Sequence, residues 1–313
     1  MARVNCLGVL VVDALSGPLA HYPEPGSVTQ VVTTSIRFAA GGGAANTGGA
    51  LARLGVDVGV FSKVGNDVNG AFVQRELEDH GVDTHGIKVA DGESTPFTFV
   101  GIHPNGERTF IHTPGANLTF NVADVDREAL LTADYLLYQD CWVLPGFDGA
   151  PGAELLAAAR QRGVVTLLDE CWGLGPNRMI FETMLPCCDY VLPSIDDLHA
   201  IYPALSATDL ATHLLAHGAT TVVLKMGAEG CLVCRGTDRT HLPALPAPVV
   251  DTTGAGDCWN AGFIAALAHG AELLTAAAFG NACAAFCIGA VGGTAGVPDY
   301  QTVQQRLEAI SGC

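Results

Sequence analysis

Positive charge is scarce in this chain: 15 Lys and Arg stand against 32 Asp and Glu in 313 residues, a formal net charge of −17. Such a surface repels phosphodiester backbones and anionic headgroups, which excludes nucleic acid and an anionic membrane as main partners. Charged residues of both signs make up only 15% and hydrophobic ones 49%. That excludes a disordered chain and calls for a large buried core. Long apolar runs are missing too. The stretch 261–278 is interrupted by His269, Gly270 and Glu272 and is unfit as a membrane span. No G-x-G-x-x-G fingerprint follows the first strand-like run and no G-K-[ST] follows a glycine-rich turn, so a dinucleotide-dependent dehydrogenase and a Walker-type P-loop are both excluded. The N-terminus has one Arg and then an apolar strand pattern rather than a secretory leader.

Cysteine, by contrast, is plentiful. There are 11, an odd count, mostly in apolar runs such as Ala282-Cys283-Ala284-Ala285-Phe286-Cys287. They read as reduced, buried small hydrophobes of a cytoplasmic protein. Cys231-Leu232-Val233-Cys234 has C-x-x-C spacing but lies in a strand-like run without a second pair, so it reads as core rather than as a metal or redox site.

The pattern predicts a buried strand over 4–12, an exposed strand over 28–34 and a helix opening after the glycines at 41–49. A hairpin is expected over 95–112, around Asn105-Gly106. Beyond residue 135, strands near 135–138, 164–168, 190–192, 221–224 and 230–234 alternate with helices near 152–162, 196–202, 209–217, 259–269, 273–291 and 302–310. Such alternation implies an α/β fold with a mostly parallel central sheet flanked by helices. The early strands that lack intervening helices, about 14–38 and 95–112, imply a small separate sheet inserted in a single domain spanning 1–313.

Two glycine-rich segments carry chemistry. In Asp251-Thr252-Thr253-Gly254-Ala255-Gly256-Asp257, Gly254 and Gly256 let the backbone approach a ligand. A helix N-terminus there offers free N–H donors and partial positive charge to an anion such as phosphate. Asp257 falls in the first turn, where a carboxylate can take the proton of a hydroxyl attacking that phosphate. A plain capped helix start, with Asp257 complementing the dipole, has the same residues. The other segment is Gly41-Gly42-Gly43-Ala44-Ala45-Asn46, where Asn46 can both donate and accept, as a polyhydroxylated ligand requires; a tight packing turn reads alike. Asp13, at the end of the expected first strand, can grip two hydroxyls, because ligands of open α/β sheets sit at the carboxyl ends of strands. A solvated strand-end carboxylate is the alternative.

Together these strings resemble the ribokinase-like carbohydrate kinases, also called the phosphofructokinase B family. One part of the resemblance runs from the 41–46 turn through Leu51-Ala52-Arg53-Leu54-Gly55 to Val64-Gly65-Asn66-Asp67 and Gly81-Val82-Asp83; the other is the 250–257 string with Asn260, Ala261 and Gly262. The resemblance implies an α/β kinase domain with a β-sheet lid that moves the ATP γ-phosphate to a hydroxymethyl group. It assigns Asp257 as catalytic base and the Gly254, Ala255 and Gly256 amides as anion hole, with Asp13, Gly42, Gly43 and Asn46 holding acceptor hydroxyls. Lys225 and Gly227 match a turn at the ATP phosphates, with Lys225 where threonine is common, and Asn281 lies on the helix lining the adenine pocket. Asp251, Thr253 and the Gly292-Gly293 turn resemble a monovalent-cation (K+) loop. Where the family often has Asn-x-x-Glu near Mg2+, this chain has Ser194-Ile195-Asp196-Asp197, so Asp197 is expected to reach the metal through water; a simple first turn of a helix is the other reading.

The resemblance leaves the acceptor open. A neutral sugar is expected first. A nucleoside is next, with Phe97, Phe99 and Phe110 available to stack, and then a sugar acid or sugar phosphate read by Arg37 or Arg108. A ligand-binding protein without turnover is the reading from another class. His103 and His112 are expected to be structural. Lid strands with unpaired edges also imply a homodimer.

Overall fold

The computed structural model describes residues 2–19, 21, 31–103, 108–171, 173 and 175–311. The chain runs β1 (Arg3–Leu7), β2 (Val11–Pro18), β3 (Ile36–Gly41), α1 (Gly43–Arg53), β4 (Asp57–Gly65), α2 (Val68–Asp79), β5 (Asp83–Ala90), β6 (Phe97–Ile102), β7 (Arg108–Thr113), α3 (Arg127–Leu130), β8 (Tyr135–Cys141), α4 (Ala150–Gln161) and β9 (Val165–Glu170). It continues α5 (Arg178–Met184), β10 (Tyr190–Val191), α6 (Ile195–His199), α7 (Ala207–Ala216), β11 (Thr221–Lys225), β12 (Cys231–Arg235), β13 (Asp238–Leu242), α8 (Ala255–Ala268), α9 (Leu273–Cys287) and α10 (Tyr300–Ser311).

Among the described residues the strands form two sheets. The large one has nine strands in the order β13-β12-β11-β10-β9-β8-β1-β4-β5. It is parallel except at β12 and β13. The small one has four, in the order β3-β2-β6-β7. Alternation along each central strand divides the core by face, as the pleat requires. Val4, Cys6, Val58, Val60, Leu137 and Val223 pack under α1, α2, α8 and α9, whereas Leu7, Leu136, Tyr138, Leu168 and Val222 pack under α4, α5 and α7. Cys231 and Cys234 fall into opposite clusters, so the C-x-x-C pair is core. No helix is long and apolar enough to cross a membrane among the described residues.

The alanine and glycine content of α8 and α9 follows from their packing. Both are apolar on all sides, as a helix enclosed by other elements is. A methyl group on Gly262 would stand 2.6 Å from Cys283 Sγ, and one on Gly280 would stand 2.7 Å from the Trp259 ring. Small residues thus let the two axes approach and hold the α8 N-terminus in place.

Three expectations need correction. The apolar run 4–12 is not one strand: it breaks at Gly8, giving β1 to the large sheet and β2 to the small one. Gly8 is obligatory there because a side chain would meet Asp140 Oδ2 at 2.7 Å. Asp13 is therefore the third residue of β2, not the end of the first strand, and it pairs with Ala39 and Thr98 in the small sheet. The strand expected at 28–34 is not formed over 31–34, and its earlier part lies outside the described residues. The hairpin turn at 104–107 also lies outside them, although β6 and β7 do pair antiparallel on either side of it. Helix α9 stops at Cys287, ahead of glycines at 289, 292 and 293, and the β5, α3, α5 and β13 elements had no forecast.

Candidate active site

The parallel strands β1, β8, β9 and β11 end at one edge of the large sheet, and the N-termini of α1 and α8 arrive at the same edge. Gly254 caps α8 with φ +72, a left-handed conformation that favours glycine. It stands against the α1 turn: a methyl group there would lie 3.4 Å from Asn46 Nδ2. The amides of Ala255, Gly256 and Asp257 begin the helix, where backbone donors lack intrahelical acceptors. Gly42 caps α1 with φ +90, and Gly43 leaves room for Asp140, whose Oδ1 would be 2.5 Å from an added methyl.

The two glycine-rich segments, some two hundred residues apart, meet in a hydrogen bond. Asn46 Nδ2 donates to Asp257 Oδ2 at 2.8 Å, Thr47 Oγ1 donates to the Asp257 carbonyl at 3.2 Å, and Gln139 Nε2 donates to Asp257 Oδ1 at 3.1 Å. Burial pushes the Asp257 carboxyl up to about 7, against the pull of the Asn46 hydrogen bond, with Asp169 adding to the rise. Asp140, held by the Val9 amide at 2.8 Å, is pushed well above the carboxylate range by burial and by Asp257. Asp140 and Trp142 also have φ of +61 and +80, uncommon backbone for residues with side chains and a frequent mark of functional loops.

On the other side of Asp257 lies a buried polar cluster. Lys225 Nζ donates to both oxygens of Asp169, at 2.9 and 3.0 Å, and to Asn260 Oδ1 at 3.3 Å; Asn260 Nδ2 donates to Asp169 Oδ2. Burial alone would lower the Lys225 ammonium, but Asp169 and Glu170 overturn that and hold it charged. Lys225 Nζ lies 3.6 Å from the point where a Gly256 side chain would begin, so its charge faces the α8 turn. The Ser194 amide donates to Glu170 Oε1 at 2.7 Å, while Glu170 Oε2 is buried without a partner. Burial, then Asp169 and Asp197, raise Glu170 well above its ordinary range. Three carboxylates facing one ammonium, with an unsatisfied oxygen among them, fit a hard divalent cation. Ser194 contributes its backbone there.

The remaining expected residues divide. Asp13, Asn46, Asp251 and Thr253 line one cleft, together with Gly292 and Gly293. Burial pushes Asp13 up to about 6, against a Thr98 hydrogen bond, and Thr98 Oγ1 in turn meets His112 Nδ1 at 2.9 Å. Asp251 accepts from the Thr253 amide at 2.8 Å and the Gly292 amide at 3.1 Å, tying the two turns together. Gly227 opens an exposed turn with φ +54. Asn281 is tied into the wall beside β13: its Oδ1 accepts from Trp259 Nε1 at 2.7 Å and its Nδ2 donates to the Leu242 and Pro243 carbonyls. Its amide thus holds α8, α9 and the segment after β13 together. Arg37 is exposed on β3, and the Arg108 side chain lies outside the described residues.

A family model described as pfkB family carbohydrate kinase matches residues 1–300. The chain belongs to that family. It is 26% identical over 294 residues to a ribokinase of Haemophilus influenzae, covering 92% of this chain and 93% of the relative. It is 29% identical over 294 residues to a nucleoside kinase of Methanothermobacter thermautotrophicus, covering 93% and 91%. The Arabidopsis thaliana ribokinase structure, complexed with ribose and ATP, shares the fold with a TM-score of 0.86 at 23% identity, over 98% of this chain and 99% of that one. This pfkB member is an ATP-dependent sugar kinase. Its sequence reading missed Gln139, Asp140, Asp169 and Glu170, although each follows an apolar strand run, the same signal that pointed to Asp13.

Proposed function

We propose that this kinase phosphorylates a hydroxymethyl group of a neutral sugar, with Asp257 as the base. The Asn46–Asp257 hydrogen bond carries the reading, because it joins an acceptor-binding turn to the carboxylate beside an anion-binding helix start. The acceptor hydroxyl lies against Asp257, gives it a proton and attacks the γ-phosphorus in line, breaking the bond to the ADP oxygen. The Gly254, Ala255 and Gly256 amides and Lys225 meet the negative charge of the transferring group. Asp13, Gly42, Gly43 and Asn46 hold the other hydroxyls. Asp197 and Glu170 would hold Mg2+, which supplies charge neutralisation on the phosphates. The Asp251–Thr253 and Gly292–Gly293 turns would hold K+. The small sheet would act as a lid that excludes water.

Charge favours a neutral acceptor. Asp13 shares its cleft with Asn46, whose amide holds Asp257, and once these two carboxyls ionise an added anion would be repelled. A nucleoside is the second reading. It rests on the nucleoside kinase relative and on Phe110, which the strand register puts on the same face of the small sheet as Asp13. A phosphorylation screen over neutral sugars, nucleosides, sugar acids and sugar phosphates tests this; turnover confined to charged acceptors overturns it. Asp13→Asn is expected to raise KM for the acceptor about 10- to 100-fold, the worth of a hydrogen bond to a charged group, and to leave KM for ATP unchanged. Equal rises in both would remove Asp13 from the acceptor site.

The edge strands of the small sheet expose Ile36, Phe38, Phe110 and Ile111, each more than half accessible. We take them as the homodimer contact, since unpaired edges and exposed apolar side chains both invite association. Gel filtration is expected to give a dimer that Phe38→Ser with Ile111→Ser converts to monomer.

A further inference from the structure

On the face of the large sheet opposite α1 and α8, Glu182 of α5 meets two histidines of the α7 end. His213 and His217 are four residues apart and so share one side of the helix, with ring centroids 4.1 Å apart. His213 Nε2 is 2.8 Å from Glu182 Oε1 and His217 Nε2 is 3.7 Å from it. One ligand atom from each of the three lies within 4.8 Å of the others. Nothing in the phosphoryl transfer described above uses these residues.

We propose that Glu182, His213 and His217 form a binding site for a zinc-class divalent cation that clamps α5 to α7. The ligand set is two imidazole nitrogens and one carboxylate oxygen, the set that suits Zn2+ with a fourth position left to water. Mg2+ prefers oxygen ligands alone, which separates this site from the cation of the kinase reaction. The surroundings hold the ligands as metal sites require. His217 Nδ1–H donates to the His213 carbonyl at 2.8 Å, which fixes the ring with Nε2 turned toward Glu182. The Tyr202 hydroxyl donates to Glu182 Oε1 at 2.7 Å, and the Tyr202 ring packs edge-on against His213 with centroids 4.8 Å apart. Tyr202 is buried, so both side chains are braced from the core side while His217 opens to solvent. The Arg178 guanidinium, 3.7 Å from Glu182 and largely exposed, now supplies part of the balancing charge and is free to swing outward.

Binding through His213 Nε2 takes the tautomer with the proton on Nδ1, so both histidines ligate as neutral imidazoles and Glu182 is the anionic ligand. The full-length protein, freed of metal with a chelator, is titrated with Zn2+ by calorimetry and thermal melting. One equivalent is expected to bind and to raise Tm by a few degrees at saturating metal, because only the folded chain presents the site. His217→Ala and Glu182→Gln should each abolish that binding and that shift, with turnover in zinc-free buffer unchanged. Co2+ in place of Zn2+ should give ligand-field bands that lack a thiolate charge-transfer component, which tells these ligands from the cysteines. No binding, binding that survives both substitutions, or a thiolate-dominated cobalt spectrum overturns the site.

Discussion

Asp257→Asn is expected to lower kcat by about 10²–10⁴-fold, the usual worth of general-base assistance, while the protein stays folded. Folding should survive for a specific reason. Gln139 has a buried Oε1 without a partner and donates through Nε2 to Asp257. Rotating that amide would present Oε1 to the new side-chain NH2, and Asn46 would keep its acceptor. The pH profile gives a second readout. The folded carboxyl titrates at about 7, above its ordinary 3.8, and only the ionised form accepts a proton. In the wild type, kcat/KM should therefore fall as pH drops through about 7; in Asp257→Asn that limb should vanish. The raised value also means that ionising Asp257 opposes folding above pH 4, increasingly up to its folded pKa. The carboxylate is thus retained against stability. Turnover like the wild type in the variant would refute the assignment and return the ligand-binding reading.

Lys225→Met should damage both stability and turnover. The ammonium and its Asp169 partner are 12% and 6% exposed as side chains. Removing one member of a buried pair leaves the other charge uncompensated, at about 3–5 kcal/mol. Asp169 would then face Glu170 and Asp257 with the Asn260 side-chain amide and the Glu170 backbone amide for support but no cation. Adding Asp169→Asn removes the orphaned charge, so the double variant should recover most of the lost denaturation midpoint. Turnover should recover in neither, since both lack the cation beside the α8 turn; kcat/KM for ATP is expected to fall about 10- to 100-fold. A Lys225→Met protein as stable as the wild type would deny the pair its structural role, and one as active would deny Lys225 a part at the phosphates.

Much of the fold can be read locally because its signals are local. Apolar runs bounded by glycine or by polar residues marked β8, β9, β11 and β12 within a few residues, and Gly55 and Gly81, with φ of +78 and +81, close α1 and α2 where a left-handed residue is needed. The split of 4–12 was not legible. Gly8 lies inside an apolar run, and only the approach of Asp140 from a strand 130 residues away makes it a break. The partners of Asn281 were not legible for the same kind of reason, since Trp259, Leu242 and Pro243 come from elsewhere in the chain.

The sequence by itself determined the α/β class, the family and the two glycine turns, because glycine spacing and apolar periodicity are properties of neighbouring residues. Tertiary structure alone decided which distant groups share a site. Asn46 and Gln139 grip Asp257, Asp169 holds Lys225, and Glu182 meets His213 and His217 where α5 and α7 pack on one face of the sheet. Those contacts set charge and proton affinity, since burial and neighbouring charges act through space, and no local pattern in a chain records them.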